Sequence, residues 1–143
     1  MQKTLEKFRH PKSLVKEYGH WLLLCRYKQA TLGSLILICK DKVYAFSEIS
    51  AESFAEFPKI VKEIEKNLKE LFQNDKINYL MFMMADPEVH FHILPRYASD
   101  RKFENKVFKD VGWPNPPDTK AVNEISEEIF EKLVAKLKEK FAN

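Results

Sequence analysis

The chain has 143 residues, a length that suits one domain (residues 1–143) whose core can fold without disulfide or metal staples. Its formal charge of +3 is small and dispersed, which argues against a nucleic-acid groove, and no apolar run reaches the ~18 residues of a membrane span. With three glycines, the chain can form neither common glycine-rich phosphate loop, so any phosphate chemistry must use other groups.

Short apolar runs predict strands in the first third of the chain. After a polar segment that predicts a short helix within residues 1–18, buried strands are expected at His20–Arg26 and Ser34–Cys39, and a short third strand at Val43–Phe46. Two cysteines lie inside the first two runs and are not in CxxC spacing. We therefore expect reduced core thiols and a cytoplasmic protein.

A long helix and two further strands follow. Apolar residues recur at three-and-four spacing over about residues 51–73, behind Ser50 as N-cap, which predicts one long amphipathic helix. Ile77–Met84 and Glu88–Pro95 predict the fourth and fifth strands, and residues 98–143 predict a proline-rich loop and then a C-terminal helix. Because the strands follow one another as hairpins, we expect an α+β fold: an antiparallel sheet of about five strands with the long helix packed on it.

The fifth predicted strand carries the residues that suggest chemistry. Glu88, His90 and His92 alternate with apolar residues, so we expect them to share one face of the strand. Three interpretations fit this pattern. The row could be the solvated face of a half-exposed sheet, a metal site with Glu88 as third ligand, or a covalent catalytic site where one neutral imidazole attacks and its neighbour assists.

The run from His90 to Arg96, His-Phe-His-Ile-Leu-Pro-Arg, resembles the latter part of the signature of the histidine triad (HIT) family of nucleotide hydrolases and transferases. The Pro-Arg pair is typical of the family's dinucleoside polyphosphate hydrolase branch. Aligned through that pair, the second and third family histidines fall on His90 and His92, and the first falls on Glu88. The order of hairpin, long helix, strand and motif also matches, so the resemblance covers a core of about residues 20–97.

This resemblance implies an HIT-like fold and a reaction at the α-phosphate of a nucleotide that needs no cofactor or metal. In the family the middle histidine forms a covalent nucleotidyl intermediate, which water or another acceptor resolves. By resemblance His90 would be the nucleophile, and His92 would donate a hydrogen bond on the phosphate side. A backbone carbonyl from a neighbouring strand would fix the tautomer of His90, while Glu88 would orient His90 or carry a proton.

Arg26, Ser34 and Trp113 are the further candidates for nucleotide binding. Arg26 stands where the family usually has a ribose-binding Asp or Asn, and an arginine would bind phosphate or a 2′-phosphate instead. Ser34 stands where a histidine often follows the family glycine. Trp113, in the proline-rich stretch, would stack on a base, close the pocket or anchor the loop. The Gly-Gln-Ser/Thr loop that holds phosphates in the hydrolase branch is missing from this sequence.

The expected partner is a small-molecule nucleotide, with neither nucleic acid nor membrane involved. Members of the family are commonly dimers, and the short predicted edge strand Val43–Phe46 would need cover, so we expect a homodimer. The alternative from another class is a nucleotide-binding module with little catalysis, because Glu88 and the missing loop weaken the phosphate site. A metal-binding site on His90, His92 and Glu88 is the third possibility.

Overall fold

The structure, a computed structural model, describes residues 1–142 as a five-stranded sheet, a two-stranded sheet and three α-helices. In chain order the elements are α1 (Gln2–Lys7), β1 (Leu14–Glu17), β2 (Trp21–Cys25), β3 (Leu35–Cys39), α2 (Ala51–Phe72), β4 (Lys76–Leu80), β5 (His90–Arg96), β6 (Arg101–Phe103), β7 (Lys106–Phe108) and α3 (Glu127–Phe141). The predicted α+β class with an antiparallel five-stranded sheet is confirmed. None of these described helices has the length and apolar character needed to cross a bilayer.

The main sheet places the histidine strand between two neighbours. Its strand order is β1-β2-β3-β5-β4, and the paired strands are antiparallel. His92 of β5 pairs with Ile36 of β3 on one side and with Leu80 of β4 on the other. His90 pairs with Ile38 of β3. The backbone of the candidate site therefore belongs to a strand that is hydrogen-bonded along both edges.

The larger core covers one face of this sheet. The apolar side chains of β2 and β3 that point to this face meet the buried stripes of α2 and α3. Because those stripes recur at three-and-four spacing, each helix packs one side onto the sheet and leaves the other to solvent. The buried stripe residues are Ile60, Ile64, Leu68, Phe72, Phe130, Leu133, Val134, Leu137 and Phe141.

The second face of the sheet carries the histidines. A smaller apolar cluster centred on Ile36 and Ile38 lies there, and Phe8 from the N-terminal segment packs against it. Directly paired residues of neighbouring strands point to the same side of a sheet. His92 and His90, which pair with these isoleucines, therefore lie on the second face, under the N-terminal segment.

Serine caps begin both long helices, as the sequence predicts for Ser50. Its Oγ accepts a hydrogen bond from the backbone N–H of Ser53 at 3.0 Å. Ser126 caps α3 in the same way, accepting from the N–H of Ile129 at 3.1 Å. The predicted long helix ends at Phe72, because Gln73 adopts a left-handed conformation (φ 53°) and closes the last turn.

The predicted strand at Val43–Phe46 is wrong. A short 3₁₀ turn begins at Phe46, and the connection folds back because the Asp41 carboxylate accepts from the backbone N–H of Ser50 at 2.7 Å. The fifth strand of the sheet is instead β1, which lies within the segment expected to be helical and pairs along β2. The main sheet therefore has the predicted five strands, but β1 takes the place of the strand predicted at Val43–Phe46.

The strands around the motif are shorter than predicted. β4 ends at Leu80 instead of Met84, and Met83 has a left-handed backbone conformation (φ 51°) that no strand continues through. β5 begins at His90 instead of Glu88. The two strands are therefore joined by a longer loop than the sequence suggests, and this loop lies beside the histidines.

The proline-rich stretch contains a hairpin that the sequence did not predict. β6 and β7 are joined by Glu104 and Asn105, both with positive φ (50° and 64°), the geometry of a two-residue turn that matches strand twist. Asn is favoured in such a turn but Glu is not, so the turn signal is weak.

Both cysteines are buried free thiols within the main sheet, Cys25 at the end of β2 and Cys39 at the end of β3. Burial raises the pKa of each thiol above its usual range, so both stay protonated at neutral pH. The predicted core position of these residues is confirmed.

Candidate active site

A cavity of about 1040 Å³ lies over the second face of the sheet, and both motif histidines contribute to its wall. The end of α1, the turn after β2, the loop before β5 and part of the proline-rich stretch form the rest of its lining. Small-molecule sites range from ~300 to 1000 Å³, so this cavity has room for more than a single small group.

His90 is buried, with 2% of its surface exposed, and one hydrogen bond determines its tautomer. Its Nδ1 lies 2.7 Å from the backbone carbonyl oxygen of Glu88. A carbonyl can only accept, so Nδ1 carries the proton and the lone pair of the neutral ring lies on Nε2. The sequence predicts that a backbone carbonyl fixes the tautomer of His90. That carbonyl belongs to Glu88, two residues upstream, and not to a neighbouring strand. The arrangement leaves an Nε2 lone pair without an assigned partner, in a side chain that lines the cavity.

His92 lies beside His90, with ring centroids 5.2 Å apart and ring planes at 75°. Burial, reinforced by the positive charge of Arg26 and by His90, lowers the pKa of His92 to about 4. His92 is therefore neutral at pH 7. Its ring can donate one N–H and does not repel the nearby positive charge of Arg26. Its buried Nδ1 has no hydrogen-bond partner among residues 1–142.

Two phenylalanines flank the imidazoles. The ring centroid of Phe8 is 6.3 Å from that of His90 and 6.1 Å from that of His92, and Phe82 is 6.1 Å from His92. These rings limit water contact, which is the main cause of the lowered pKa of His92. No motif in the sequence marks Phe8, because its contact arises only when the N-terminal segment folds across the sheet.

Glu88 lies outside β5, so it does not continue the histidine row of the strand. Its carboxylate pairs with the amino group of Met1 at 2.7 Å and accepts from the Thr4 hydroxyl at 2.8 Å. Burial raises the pKa of this carboxyl, but these two donors outweigh burial and hold the pKa below its usual range. The charge of Glu88 is thus neutralised by the N-terminal segment, while its backbone carbonyl orients His90.

The loop before β5 offers few groups for phosphate. Asp86 is already paired with Lys7, whose Nζ lies 2.8 Å from Oδ2, and both residues line the cavity. Phe82 and Met84 are exposed apolar side chains of the same loop. The side chains of this loop therefore provide no cation for a phosphate group.

Arg26 follows β2 and lines the cavity. Burial lowers the pKa of its guanidinium, and no carboxylate among the described residues forms an ion pair with it. Its charge is close enough to lower the pKa of His92. A partly desolvated cation without a counter-ion is costly, and a bound anion would relieve that cost.

Ser34 has a structural place rather than one on the cavity wall. Its hydroxyl donates to the backbone carbonyl of Thr31 at 2.7 Å and accepts from the Thr31 N–H at 3.1 Å. Ser34 is completely buried in this turn. The turn includes Gly33, whose φ of +84° and close contact with Phe72 leave no room for a side chain.

Trp113 also lies away from the cavity wall, half-buried in a turn of the proline-rich stretch. The same stretch instead contributes Thr119, Lys120 and Val122 to the lining. An isolated polar or apolar residue in a loop carries no spacing signal, so no pattern in the sequence marks these three positions. Lys7 at the end of α1 and Lys28 in the turn after β2 also line the cavity, and no spacing pattern marks either residue.

A metal site on the predicted triad lacks its third ligand. The Glu88 carboxylate is bound by Met1 and Thr4, and no group of three or more His, Cys, Asp or Glu side chains within residues 1–142 is placed to hold a metal ion. His90 and His92 by themselves provide two nitrogen donors, fewer than structural or catalytic zinc sites use.

Solved structures resemble this fold across nearly the whole chain. A histidine triad protein from Marinobacter aquaeolei has a TM-score of 0.76 at 20% identity, covering 98% of this chain and 93% of that one. One from Bradyrhizobium japonicum has a TM-score of 0.75 at 15% identity, covering 99% and 96%. A hypothetical histidine triad nucleotide-binding protein from Sulfolobus tokodaii has a TM-score of 0.68 at 20% identity, covering 92% and 84%.

No curated protein sequence matches the chain. The sequence model described as "HIT domain" matches residues 7–99, which include β1 to β5 and both motif histidines. This match spans more than half of the 143 residues. The fold likeness and the sequence match agree, and the chain belongs to the HIT domain family.

Proposed function

We propose that the protein cleaves or transfers a nucleotide at its α-phosphate through a covalent intermediate on His90, with a dinucleoside polyphosphate-like substrate. The observation that carries this proposal is the hydrogen bond from His90 Nδ1 to the Glu88 carbonyl. It leaves the Nε2 lone pair free for attack in a residue that lines the cavity.

In the first step, His90 Nε2 forms a bond to the α-phosphorus. The bond from phosphorus to the leaving group breaks, and the leaving atom keeps the electron pair. A polyphosphate oxygen leaves as an anion, whereas an amine nitrogen takes a proton from solvent as it leaves. The ring becomes positively charged, and the Glu88 carbonyl stabilises that charge by accepting the Nδ1 proton in a hydrogen bond. The neutral ring of His92 donates its N–H to a phosphate oxygen.

In the second step, a water oxygen attacks the phosphorus from the cavity. The phosphorus–nitrogen bond breaks, its electron pair returns to Nε2, and the proton of water passes to solvent. The product is a nucleoside monophosphate, and His90 regains its neutral form. Water is replaced by another acceptor if the reaction is a transfer.

Arg26 is proposed as the phosphate ligand of the site. Its charge is partly desolvated, unpaired among the described residues and close to His92. A guanidinium can bind two phosphate oxygens at once, which suits a polyphosphate better than ribose. Ser34 and Trp113 are left out of the proposed site because neither lines the cavity.

The test compares wild type with His90→Ala on diadenosine polyphosphates and nucleoside phosphoramidates, with and without EDTA. We expect turnover by the wild type to be insensitive to the chelator and to fall by at least about a thousandfold in the variant. A mass increase of one nucleotidyl group on the wild type, lost in the variant, identifies the intermediate. Full turnover by His90→Ala, or loss of turnover with EDTA, would overturn the covalent, metal-free mechanism.

A nucleotide-binding module with little catalysis is the second candidate. The loop before β5 favours it, because Asp86 places a carboxylate on the cavity wall and is already paired with Lys7. Calorimetry then shows nucleotide affinity, and no product forms over hours. Measurable product with a His90 adduct excludes this candidate.

We propose a homodimer in the cytoplasm as the working form. The predicted edge strand does not exist, but β4 ends the main sheet and leaves its outer edge without a strand among the described residues. Exposed Phe46 and Phe54 form an aromatic pair with centroids 5.5 Å apart. A monomeric mass in light scattering at micromolar concentration contradicts the dimer.

A further inference from the structure

One wall of the cavity is built in part by residues outside the matched family domain. Thr119, Lys120 and Val122 line the cavity, whereas the family match ends at residue 99. They face the same cavity as Tyr27 and Lys28 from the turn after β2. This distal wall, defined as Tyr27, Lys28, Thr119, Lys120 and Val122, therefore joins residues of the matched domain to residues that follow it in the chain.

Hydrogen bonds anchor the C-terminal half of this wall. The Asn123 side chain donates to the backbone carbonyls of Gln29, Ala30 and Lys109 at 3.0 to 3.2 Å. Its backbone N–H donates to the Gln29 carbonyl at 2.8 Å. The carboxylate of Asp118 accepts from the N–H of Lys120 at 3.0 Å. The chain around Lys120 is thus bound on both sides and lies against the turn after β2.

Tyr27 is held equally firmly. Its hydroxyl donates to the carbonyl of Ile125 at 3.2 Å, and the guanidinium of Arg9 lies 3.5 Å from its ring centroid. The ring of Phe130 meets it edge-on, with centroids 5.2 Å apart. These contacts fix an aromatic surface between α3 and the cavity, so the wall is organised before any ligand binds.

The charges of the cavity are unequally balanced. Lys7 is paired with Asp86, and Arg9 with Glu127. Lys28 and Lys120 are exposed, and no carboxylate among the described residues pairs with either ammonium group. The distal wall therefore presents two free cations on a fixed support, at the same cavity as the histidines.

We propose that the distal wall is a subsite for an anionic leaving group, the phosphate chain that extends beyond the α-phosphate. The ammonium groups of Lys28 and Lys120 contact the phosphate oxygens of the leaving group as point charges. The ring of Tyr27 packs against the part of the leaving group that lies beyond those phosphates. This inference rests on the proposed function, because it places the α-phosphate at His90. It adds that the chain favours substrates with charged leaving groups over neutral ones.

The experiment uses two substrates that share an adenylyl group. Attack at the α-phosphate of diadenosine tetraphosphate releases ATP, a charged polyphosphate. Attack on adenosine 5′-phosphoramidate releases ammonia, whose nitrogen takes a proton from solvent as the bond breaks. Lys28→Gln/Lys120→Gln should lower kcat/KM for the tetraphosphate about tenfold at low salt and change that for the phosphoramidate less than about twofold. Lys59→Gln/Lys62→Gln on the exposed side of α2 is the matched control for the change in net charge, and it should leave both substrates unaffected.

Binding separates this inference from the proposed chemistry. By calorimetry, wild type should bind ATP more tightly than AMP, and the variant at the distal wall should lose about tenfold of that preference. The subsite stands on this result even if the wild type forms no product and the covalent mechanism fails. Equal affinity of the wild type for ATP and AMP, or an equal loss on both substrates in the kinetic experiment, overturns the subsite even if His90 is the nucleophile.

Discussion

The two ends of β5 carry polar sites of opposite character. At its C-terminal end, Arg96 is 3% exposed, and four of its five N–H groups donate hydrogen bonds. Nε and Nη2 donate to the Asp110 carboxylate at 2.7 and 3.0 Å, Nη1 donates to Asn78 at 2.7 Å, and Nη2 also donates to the carbonyl of Asn115 at 2.9 Å. This network gives Arg96 a structural role, and Arg96 does not line the cavity.

At the N-terminal end, the same strand leaves polar groups without partners. His92 Nδ1 is buried and has no hydrogen bond among residues 1–142, and nearby Arg26 has no counter-ion there. His90 is half-satisfied, through Nδ1 alone. Buried polar groups are usually satisfied, so groups left unsatisfied beside a cavity mark where a ligand is expected. One strand thus stabilises the fold at one end and leaves unsatisfied polar groups beside the cavity at the other.

Removing one partner of Arg96, at the C-terminal end of β5, should produce the largest effect on stability. Asp110→Ala leaves Arg96 as a buried, unpaired charge, so the free energy of unfolding should fall by about 3–5 kcal/mol. Urea denaturation measures this loss. Asp100→Ala is the matched control, because its ion pair with Lys109 is exposed and contributes about 0–1 kcal/mol. Similar losses in both variants would show that the buried network is not special.

Removing the charge of Arg26, near the N-terminal end of β5, should affect ligand binding and not stability. Arg26→Gln should weaken AMP binding by about 10- to 100-fold, because a charge-assisted hydrogen bond to phosphate is lost. It should leave the free energy of unfolding unchanged or higher, since the wild-type guanidinium is desolvated without a partner. Calorimetry and urea denaturation on the same samples test both parts. A variant that unfolds more easily and binds AMP normally contradicts the proposed role.

The pH dependence of stability should reveal the environment of His92. Its pKa of about 4 in the folded chain lies below the usual 6.5, so the unfolded chain binds more protons between these values. The contribution of neutral His92 to the free energy of unfolding is fully present above pH 6.5. It is lost as the pH falls to about 4, which lowers the free energy of unfolding by roughly 1–3 kcal/mol.

The measurement compares urea denaturation of wild type and His92→Asn at pH 7 and pH 4. The variant should lose less stability over this interval, because asparagine does not titrate. An equal loss in both proteins would show that the pKa of His92 is not lowered. An NMR titration of wild type should place the midpoint of His92 near pH 4 as a second check.

Periodicity made most of the main fold predictable. The buried runs at β2 and β3 and the spacing along α2 and α3 each reflect which face meets the core, and burial is what such patterns record. β1 was missed because its polar residues sit at a sheet edge. Val43–Phe46 has the composition of a strand, but the hydrogen bonds from Ser50 and Ser53 to Asp41 favour another path for the backbone.

The candidate site was predictable only in part. The histidine pair stands out because its spacing is a property of one strand. The partner of His90 Nδ1 is a backbone carbonyl. Because every residue has a backbone carbonyl, the residue types in the sequence could not predict which one binds His90. The ion pair of Glu88 and the approach of Lys120 join distant segments, and such contacts follow from the tertiary fold rather than from a local pattern.

The burial of Cys25 and Cys39 has a practical consequence for work on this protein. Both thiols are buried and protonated at neutral pH, so thiol-directed dyes and spin labels should leave the native chain unmodified. A single cysteine introduced at exposed Thr119 would then be the sole reactive thiol of the described chain. Wild type already provides the silent background that fluorescence studies of the cavity wall require.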